Sequence, residues 1–213
     1  MKTLKEIGQP LTDKISHHRY DRFYPMFLEP LREQEFNMLE IGVDRGGSLS
    51  LWKEYFPKAH IFGADIYQEW SDERATVFKC DQSNPSDLKE LVKKVPKCKF
   101  IIDDASHVPY HQMITFCELF KNTLDFGGVY IIEDLECNYW RPEVPILKYK
   151  AGHFNFIDFL KRFPDQVNEE FSKQKNYFSV SSITFSHNCA IIKKQTEEEI
   201  AISSRAYRFG YNL

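Results

Sequence analysis

The stretch Lys99-Phe-Ile-Ile-Asp-Asp-Ala-Ser-His107 constrains the chain more than any other. Its apolar run, Phe100-Ile101-Ile102, stops abruptly at two carboxylates, and a hydroxyl and an imidazole follow. A short apolar run bounded in this way reads as a buried strand. In an open α/β sheet, ligands sit beyond the carboxyl ends of the strands. Asp103, Asp104 and His107 therefore fall where chemistry is expected. A second run, Gly128-Val-Tyr-Ile-Ile132, ends in the same way at Glu133-Asp134. Two neighbouring strands of this kind would bring four carboxylates and a histidine to one sheet edge. Such a cluster is costly unless a cation neutralises it.

Around these runs the chain alternates strand and helix. Strands are expected at Asn37–Gly42, His60–Asp65 and Thr76–Phe78. A helix over Ser48–Tyr55 is entered through Gly46-Gly47. An amphipathic helix over Asp87–Val95 takes Ser86 as its cap, and another helix covers Tyr110–Leu124. This order predicts an α/β fold with a mostly parallel, doubly wound sheet and helices on both faces. Near the C-terminus, Tyr177–Phe185 and Cys189–Lys193 read as strands. The connection between them, Ser186-His-Asn188, is so short that they must form an antiparallel hairpin. Before the sheet, residues 1–35 form an N-terminal segment, helical around Tyr20–Leu31, with Pro25 and Pro30 limiting its regularity. Residues 135–155 lack periodicity and are expected as a loop over the substrate side. Phe156–Phe163 looks helical.

The totals fit one domain spanning 1–213. At 213 residues and 42% hydrophobic, the chain can bury a sizeable core. A net charge of -3 and the lack of a strongly basic cluster give no reason to expect nucleic acid. No apolar run is long enough to span a bilayer, and Met1–Ile7 lacks the apolar core of a signal peptide. The five cysteines are scattered, odd in number and without C-x-x-C spacing. They are expected to be reduced, mostly structural thiols in a cytoplasmic protein, with no zinc site.

At the first strand-to-helix turn stands Glu40-Ile-Gly-Val-Asp-Arg-Gly46. Gly42 and Gly46 there allow the backbone to approach a ligand closely, although the spacing is not the G-x-G-x-x-G of dinucleotide sites. Asp65 ends the second strand about 20 residues on, where an acid accepts hydrogen bonds from ribose hydroxyls. Asp81-Gln82, after the third strand, is placed to address an adenine edge.

This signature resembles the class I S-adenosylmethionine-dependent methyltransferases. A narrower likeness runs from Thr12 to Trp140. Thr12-Asp-Lys14, Leu39-Glu-Ile-Gly42, Gly46-Gly-Ser-Leu49, Trp52-Lys-Glu-Tyr-Phe-Pro57, Asp81-Gln-Ser83, Asp103-Asp-Ala-Ser-His107 and Ile132-Glu-Asp-Leu135 are similar to the macrocin and mycinamicin sugar O-methyltransferases. The chain departs from that pattern in a shorter glycine turn and in Ala105, where glycine is usual. The resemblance implies a Rossmann-like, seven-stranded sheet ending in the antiparallel hairpin. It implies S-adenosyl-L-methionine as methyl donor and Mg2+ or Mn2+ as cofactor. Asp104, Glu133 and Asp134 match the metal ligands, and His107 matches the general base. Glu40, Gly42, Asp65, Asp81 and Gln82 match cofactor-contact positions, with Gly46, Ser48 and Ile66 on the same side. Asp103, directly after the strand, is expected at the methionine amino group.

The expected reaction is O-methylation of a sugar hydroxyl in a glycoside or glycan. Two vicinal hydroxyls could chelate the cation, and a histidine with an ordinary pKa suits proton removal at neutral pH. Three other readings remain open at this point. They are methylation of a catechol-like vicinal diol, a nicotinamide-dependent oxidoreductase and a non-catalytic nucleotide-binding module. Plainer roles also stand beside several assignments. Asp103 or Asp104 could cap the following helix, and His107 could only start it. His111 reads as a supporting residue and His17-His18 as surface. Lys14 and Tyr20 could fold over the cofactor or simply pack. Tyr139-Trp-Arg141 could line a substrate pocket. Trp52 and Tyr55-Phe56 read as core. Oligomeric state stays open.

Overall fold

The central strands alternate cleanly between two buried faces. In the computed structural model, which describes residues 1–140 and 154–206, Met38, Phe100, Ile102, Val129 and Ile131 pack on one face of the sheet. Leu39, Ile101, Tyr130 and Ile132 pack on the other. This is the period-two pattern of strands covered on both sides. In chain order the elements are α1 (Leu4–Gly8), α2 (Asp13–Ser16), α3 (Pro25–Leu28), β1 (Asn37–Ile41), α4 (Gly47–Tyr55), β2 (His60–Asp65), β3 (Trp70–Ser71), β4 (Ala75–Lys79) and α5 (Pro85–Lys94). Next come β5 (Cys98–Asp103), α6 (Pro109–Asn122), β6 (Leu124–Ile132), α7 (Phe156–Leu160), α8 (Phe163–Val167), α9 (Glu169–Ser172), β7 (Val180–Ser186), β8 (Cys189–Lys194) and α10 (Glu197–Ala206).

The strands form one sheet in the order β3-β4-β2-β1-β5-β6-β8-β7. The five strands β4, β2, β1, β5 and β6 run parallel. β8 joins β6 antiparallel and pairs with β7 as the expected hairpin. The seven expected strands are all present. The eighth, β3, is a two-residue edge strand antiparallel to β4, too short to leave an alternation in the sequence. From β1 the chain winds outward through β2 and β4, then returns to β5 on the other side of β1. The ends of β1 and β5 therefore flank the switch point, where α/β sheets hold ligands.

Register carries the acids to that point. Asp103 ends β5 opposite Ile41 of β1 and Ile132 of β6. The pairing continues past the strands, with Asp104 N–H donating to Ile41 O at 2.9 Å and Glu133 N–H to Asp103 O at 3.0 Å.

One expectation needs correction, the cap of α5. The N-terminal segment is helical over Tyr20–Leu31 as expected, but broken into short turns. α1, α2 and α3 are each at most five residues long, and two 3-10 turns stand between and after them. Arg19 takes a left-handed conformation (φ 60°), and Pro25 and Pro30 each open a new turn, so no helix can propagate. The cap of α5 is Asn84, whose side chain accepts from Ser86 N–H at 3.0 Å, with Pro85 at the first helical position. The loop expected over 135–155 lies largely outside the described residues, as does Arg141. Its start, Leu135–Asn138, is a 3-10 turn. Trp52, Tyr55 and Phe56 are core residues. All five cysteines are free thiols, four of them buried. No helix among the described residues is long and apolar enough to cross a membrane.

Candidate active site

Three of the four strand-end acids, Asp104, Glu133 and Asp134, gather at one corner, and a lysine from the N-terminal segment meets two of them. Lys14, at the second position of α2, is 2% exposed. Its Nζ donates to Asp104 Oδ2 and to Glu133 Oε2, the latter at 2.7 Å, and lies 3.2 Å from Glu40 Oε1. Burial alone would drive this ammonium towards neutrality. The carboxylates of Asp104, Glu133 and Glu40 outweigh it and hold Lys14 well above the ordinary lysine range. One ammonium cannot neutralise three carboxylates, and burial pushes the carboxyls of Glu40 and Glu133 up. Two tyrosines from the same segment add phenolic donors: Tyr24 to Glu133 Oε1 at 2.5 Å and Tyr20 to Asp134 Oδ1 at 2.8 Å.

Beside this network stands a trio. Asp104, His107 and Asp134 each present a ligand atom, all within 4.8 Å of one another. His107 Nε2 lies 3.7 Å from Asp134 Oδ2, and Nδ1 lies 4.0 Å from Asp104 Oδ1. His107 and Asp134 both sit in the left-handed region, at φ 55° and 53°. That conformation costs a non-glycine residue roughly 1–2 kcal/mol, and such strain concentrates at functional sites. Nδ1 of His107 is buried without a hydrogen-bond partner. Two carboxylates and an imidazole with an unsatisfied nitrogen form a donor set that fits a divalent cation. Glu133 stands apart from the trio here, because both its oxygens are taken by Lys14 and Tyr24.

Two clefts lie near the trio, one lined by Asp104 itself and the other by residues that contact Asp134. The first, about 520 Å³, is lined by Gly42, Ser48, Asp65, Ile66, Asp81, Gln82 and Asp104 among others. Seven of the expected positions thus share one cavity. Several of them, however, are already engaged. Asp65 accepts four backbone amides, from Val43, Asp44, Tyr67 and Gln68, at 2.7–3.0 Å. Burial opposes its charge, but these four donors hold its carboxyl below the usual aspartate range. A ribose would compete with the turn for the same lone pairs. Glu40 is fully buried and does not line the cleft. Its Oε2 accepts from Ser48 Oγ at 2.8 Å and Trp52 Nε1 at 3.1 Å. Gly46 is the left-handed cap of α4 and likewise lies off the lining. Asp103 is sealed beneath the cleft. Gln82 Nε2 donates to its Oδ1 at 2.5 Å, and burial pushes its carboxyl up to about 7. Gln82 Oε1 in turn accepts from Ser106 Oγ, which contacts His111 Nδ1 at 3.1 Å. His111 is thus the supporting residue expected.

The second cleft, about 600 Å³, reaches Asp134 through His18 and Asn188. It is lined by His17, His18, Glu136, Tyr139, Lys161, His187 and Asn188 with apolar neighbours. His18 Nδ1 is 3.5 Å from Asp134 Oδ1, and Asn188 Nδ2 donates to the same oxygen at 2.9 Å. His18 is therefore part of the acid corner and not merely surface. Lys14, Tyr24 and Asn188 also escaped sequence reasoning as members of that corner. The one signal for Lys14 was the Thr12-Asp-Lys14 match. Asn188 gave only a hairpin turn.

Comparisons with known proteins give matches in sequence and in fold. No family model matches the chain. The rhamnosyl tetracenomycin-C 2'-O-methyltransferase of Streptomyces olivaceus is 31% identical over 202 residues, covering 86% of this chain and 52% of that protein. The demethylmacrocin O-methyltransferase of Streptomyces fradiae is 34% identical over 134 residues, covering 59% of this chain and 34% of that protein. The MycE methyltransferase of the mycinamycin pathway, solved with Mg and SAH, aligns with a TM-score of 0.80 at 27% identity over 93% of this chain and 56% of that one. By sequence and by fold, the chain is a relative of the macrocin and mycinamicin sugar O-methyltransferases. It spans about half the length of these methyltransferases or less.

Proposed function

We propose that this methyltransferase relative transfers a methyl group from S-adenosyl-L-methionine to a sugar hydroxyl of a glycoside or glycan, with Mg2+ or Mn2+. The observation that carries the reading is that the trio joins two clefts, through Asp104 in one lining and through the His18 and Asn188 contacts of Asp134 in the other. Asp104 belongs to the first cleft, the donor side. Asp134 is held by His18 and Asn188 of the second, the acceptor side. A two-substrate transfer needs this layout, because the reacting atoms must meet in line at one point.

In this reading Asp104, Glu133 and Asp134 hold the cation, and His107 is the base. A bound divalent cation supplies positive charge that lowers the pKa of a hydroxyl brought beside it. His107 takes the hydroxyl proton on its imidazole. Asp134 faces Nε2 and stabilises the imidazolium that results. Tyr20 and Asn188 fix Asp134 Oδ1, so its other oxygen keeps its direction. The same imidazole cannot both hold the cation and take the proton, which favours the three-carboxylate set over the trio as ligands. On the donor side, Gly42, Ser48, Asp65, Ile66, Asp81 and Gln82 form the cavity, with Glu40, Gly46 and Asp103 supporting it from behind.

The test is methyl transfer from S-adenosyl-L-methionine to a panel of glycosides bearing vicinal diols, read by mass spectrometry. At least one glycoside should gain a methyl group, and His107→Ala should lose that turnover by roughly 100-fold or more. Turnover on a catechol but on no glycoside would overturn the sugar assignment. Full turnover in His107→Ala would overturn the base.

A further inference from the structure

We propose that Lys14 is a resident counter-ion that yields to a divalent cation, and that its release links cation binding to the wall of the donor cleft. The inference rests on the proposed methyltransferase reading and concerns a residue that reading leaves without a role.

Lys14 Nζ holds one oxygen each of Asp104 and Glu133. Both are proposed cation ligands, and they come from different strands. An ammonium and a divalent cation cannot share those oxygens at close range in a buried site without strong repulsion. When the cation binds, Lys14 must give up two of its three partners. Tyr24 still holds Glu133 Oε1, so the freed Oε2 is the atom Glu133 can offer as a ligand. Before that exchange Lys14 occupies Asp104 Oδ2 and Glu133 Oε2, and His107 lies beside the remaining oxygens, Asp104 Oδ1 and Asp134 Oδ2. After it the three carboxylates are available and His107 is left to act as a base.

The displaced ammonium borders the donor cleft. Lys14 lines the donor cleft together with Leu11, Thr12 and Asp13. Its remaining partner, Glu40 Oε1, lies at 3.2 Å. The segment behind it is clamped at both ends. Lys14 N–H donates to Thr12 Oγ1 at 3.3 Å. A Cβ on Gly47 would meet Leu11 O at 2.2 Å, so the segment is seated directly on the start of α4. Lys14 is thus a cation on a wall that also carries the acids Asp13, Asp65 and Asp104. It turns towards the cavity, where the carboxylate of a bound methionine moiety supplies a new anion. Cation and donor then bind with positive coupling.

Reductive methylation of lysines in the wild-type protein, followed by peptide mass spectrometry, reads this directly. In EDTA, Lys14 should label slowly. Saturating Mg2+ should raise its labelling rate at least ten-fold, and S-adenosylhomocysteine added with Mg2+ should lower it again. In Lys14→Met, Mn2+ affinity measured by electron paramagnetic resonance should rise at least ten-fold, because the competitor is gone. If that variant fails to fold, the labelling of the wild-type protein decides alone. Labelling of Lys14 that is equally slow with and without Mg2+, in protein that binds S-adenosylhomocysteine, overturns this inference and leaves the methyltransferase reading standing. No cation binding at all overturns both.

Discussion

The carboxylate of Asp65 grips the glycine turn through Val43, whose amide donates to Oδ2 across 3.0 Å. With the amides of Asp44, Tyr67 and Gln68 it fixes the two loops that form one end of the donor cleft. Asp65→Asn replaces one acceptor oxygen with a donor and leaves turn amides, two of them part-buried, unpaired. Urea unfolding should show a loss of about 1–3 kcal/mol without any ligand present. The sign with pH follows from its lowered pKa. The stabilisation is present above the usual aspartate range and is lost as pH falls through the lower folded value, below about pH 4. An Asp65→Asn protein as stable as wild type would mean that the acid serves a ligand alone.

Gly42 and Gly46 both have positive φ, at 92° and 78°, but they differ in what surrounds them. A Cβ at Gly42 would lie 2.2 Å from the backbone oxygen of Asp104, and nothing lies within 4 Å of one at Gly46. Gly46→Ala should therefore cost only the left-handed strain, about 1–2 kcal/mol. Gly42→Ala should cost more and displace the Asp104 loop, so that Mg2+ binding measured by calorimetry falls in that variant alone. Equal effects of the two substitutions would contradict the close approach.

Asp103 is the buried acid whose titration the fold shifts most usefully. Its carboxyl is pushed up to about 7, so the folded chain holds a proton that the unfolded chain releases near pH 4. Stability therefore falls as pH rises from about 4 to 7, and the loss is complete above that. Asp103→Asn removes this slope and can still accept the Gln82 hydrogen bond. Relative to wild type it should gain stability between pH 4 and pH 8, by up to roughly 4 kcal/mol. Parallel pH profiles of unfolding free energy for the two proteins would contradict the burial of an ionisable acid there.

The sheet was legible because its central strands are short apolar runs that end in acids. Phe100–Ile102 and Gly128–Ile132 are unmistakable, and their parallel pairing puts Asp104, Glu133 and Asp134 at one corner, while Asp103 turns into the core against Gln82. The two-residue β3 carries no periodicity to read. The partners of the acids were hidden for a different reason. Tyr20 and Asp134 are 114 positions apart, and Lys14 and Glu133 are 119 apart. The N-terminal segment that supplies Lys14, His18, Tyr20 and Tyr24 is a string of short turns with no repeating face. Positions such as Asp65, Glu40 and Gln82 were legible as a cluster around a cavity. Their hydrogen-bond partners depend on backbone geometry within the turns, which spacing alone does not specify.

The donor assignment is reached most directly by isothermal titration of chelator-treated protein with S-adenosylhomocysteine, with and without Mg2+, in wild type and Asp104→Asn. Binding in the micromolar range or tighter is expected in wild type, together with a Mg2+ heat that Asp104→Asn abolishes. A chain that binds no S-adenosylhomocysteine under any of these conditions would contradict the methyltransferase reading outright.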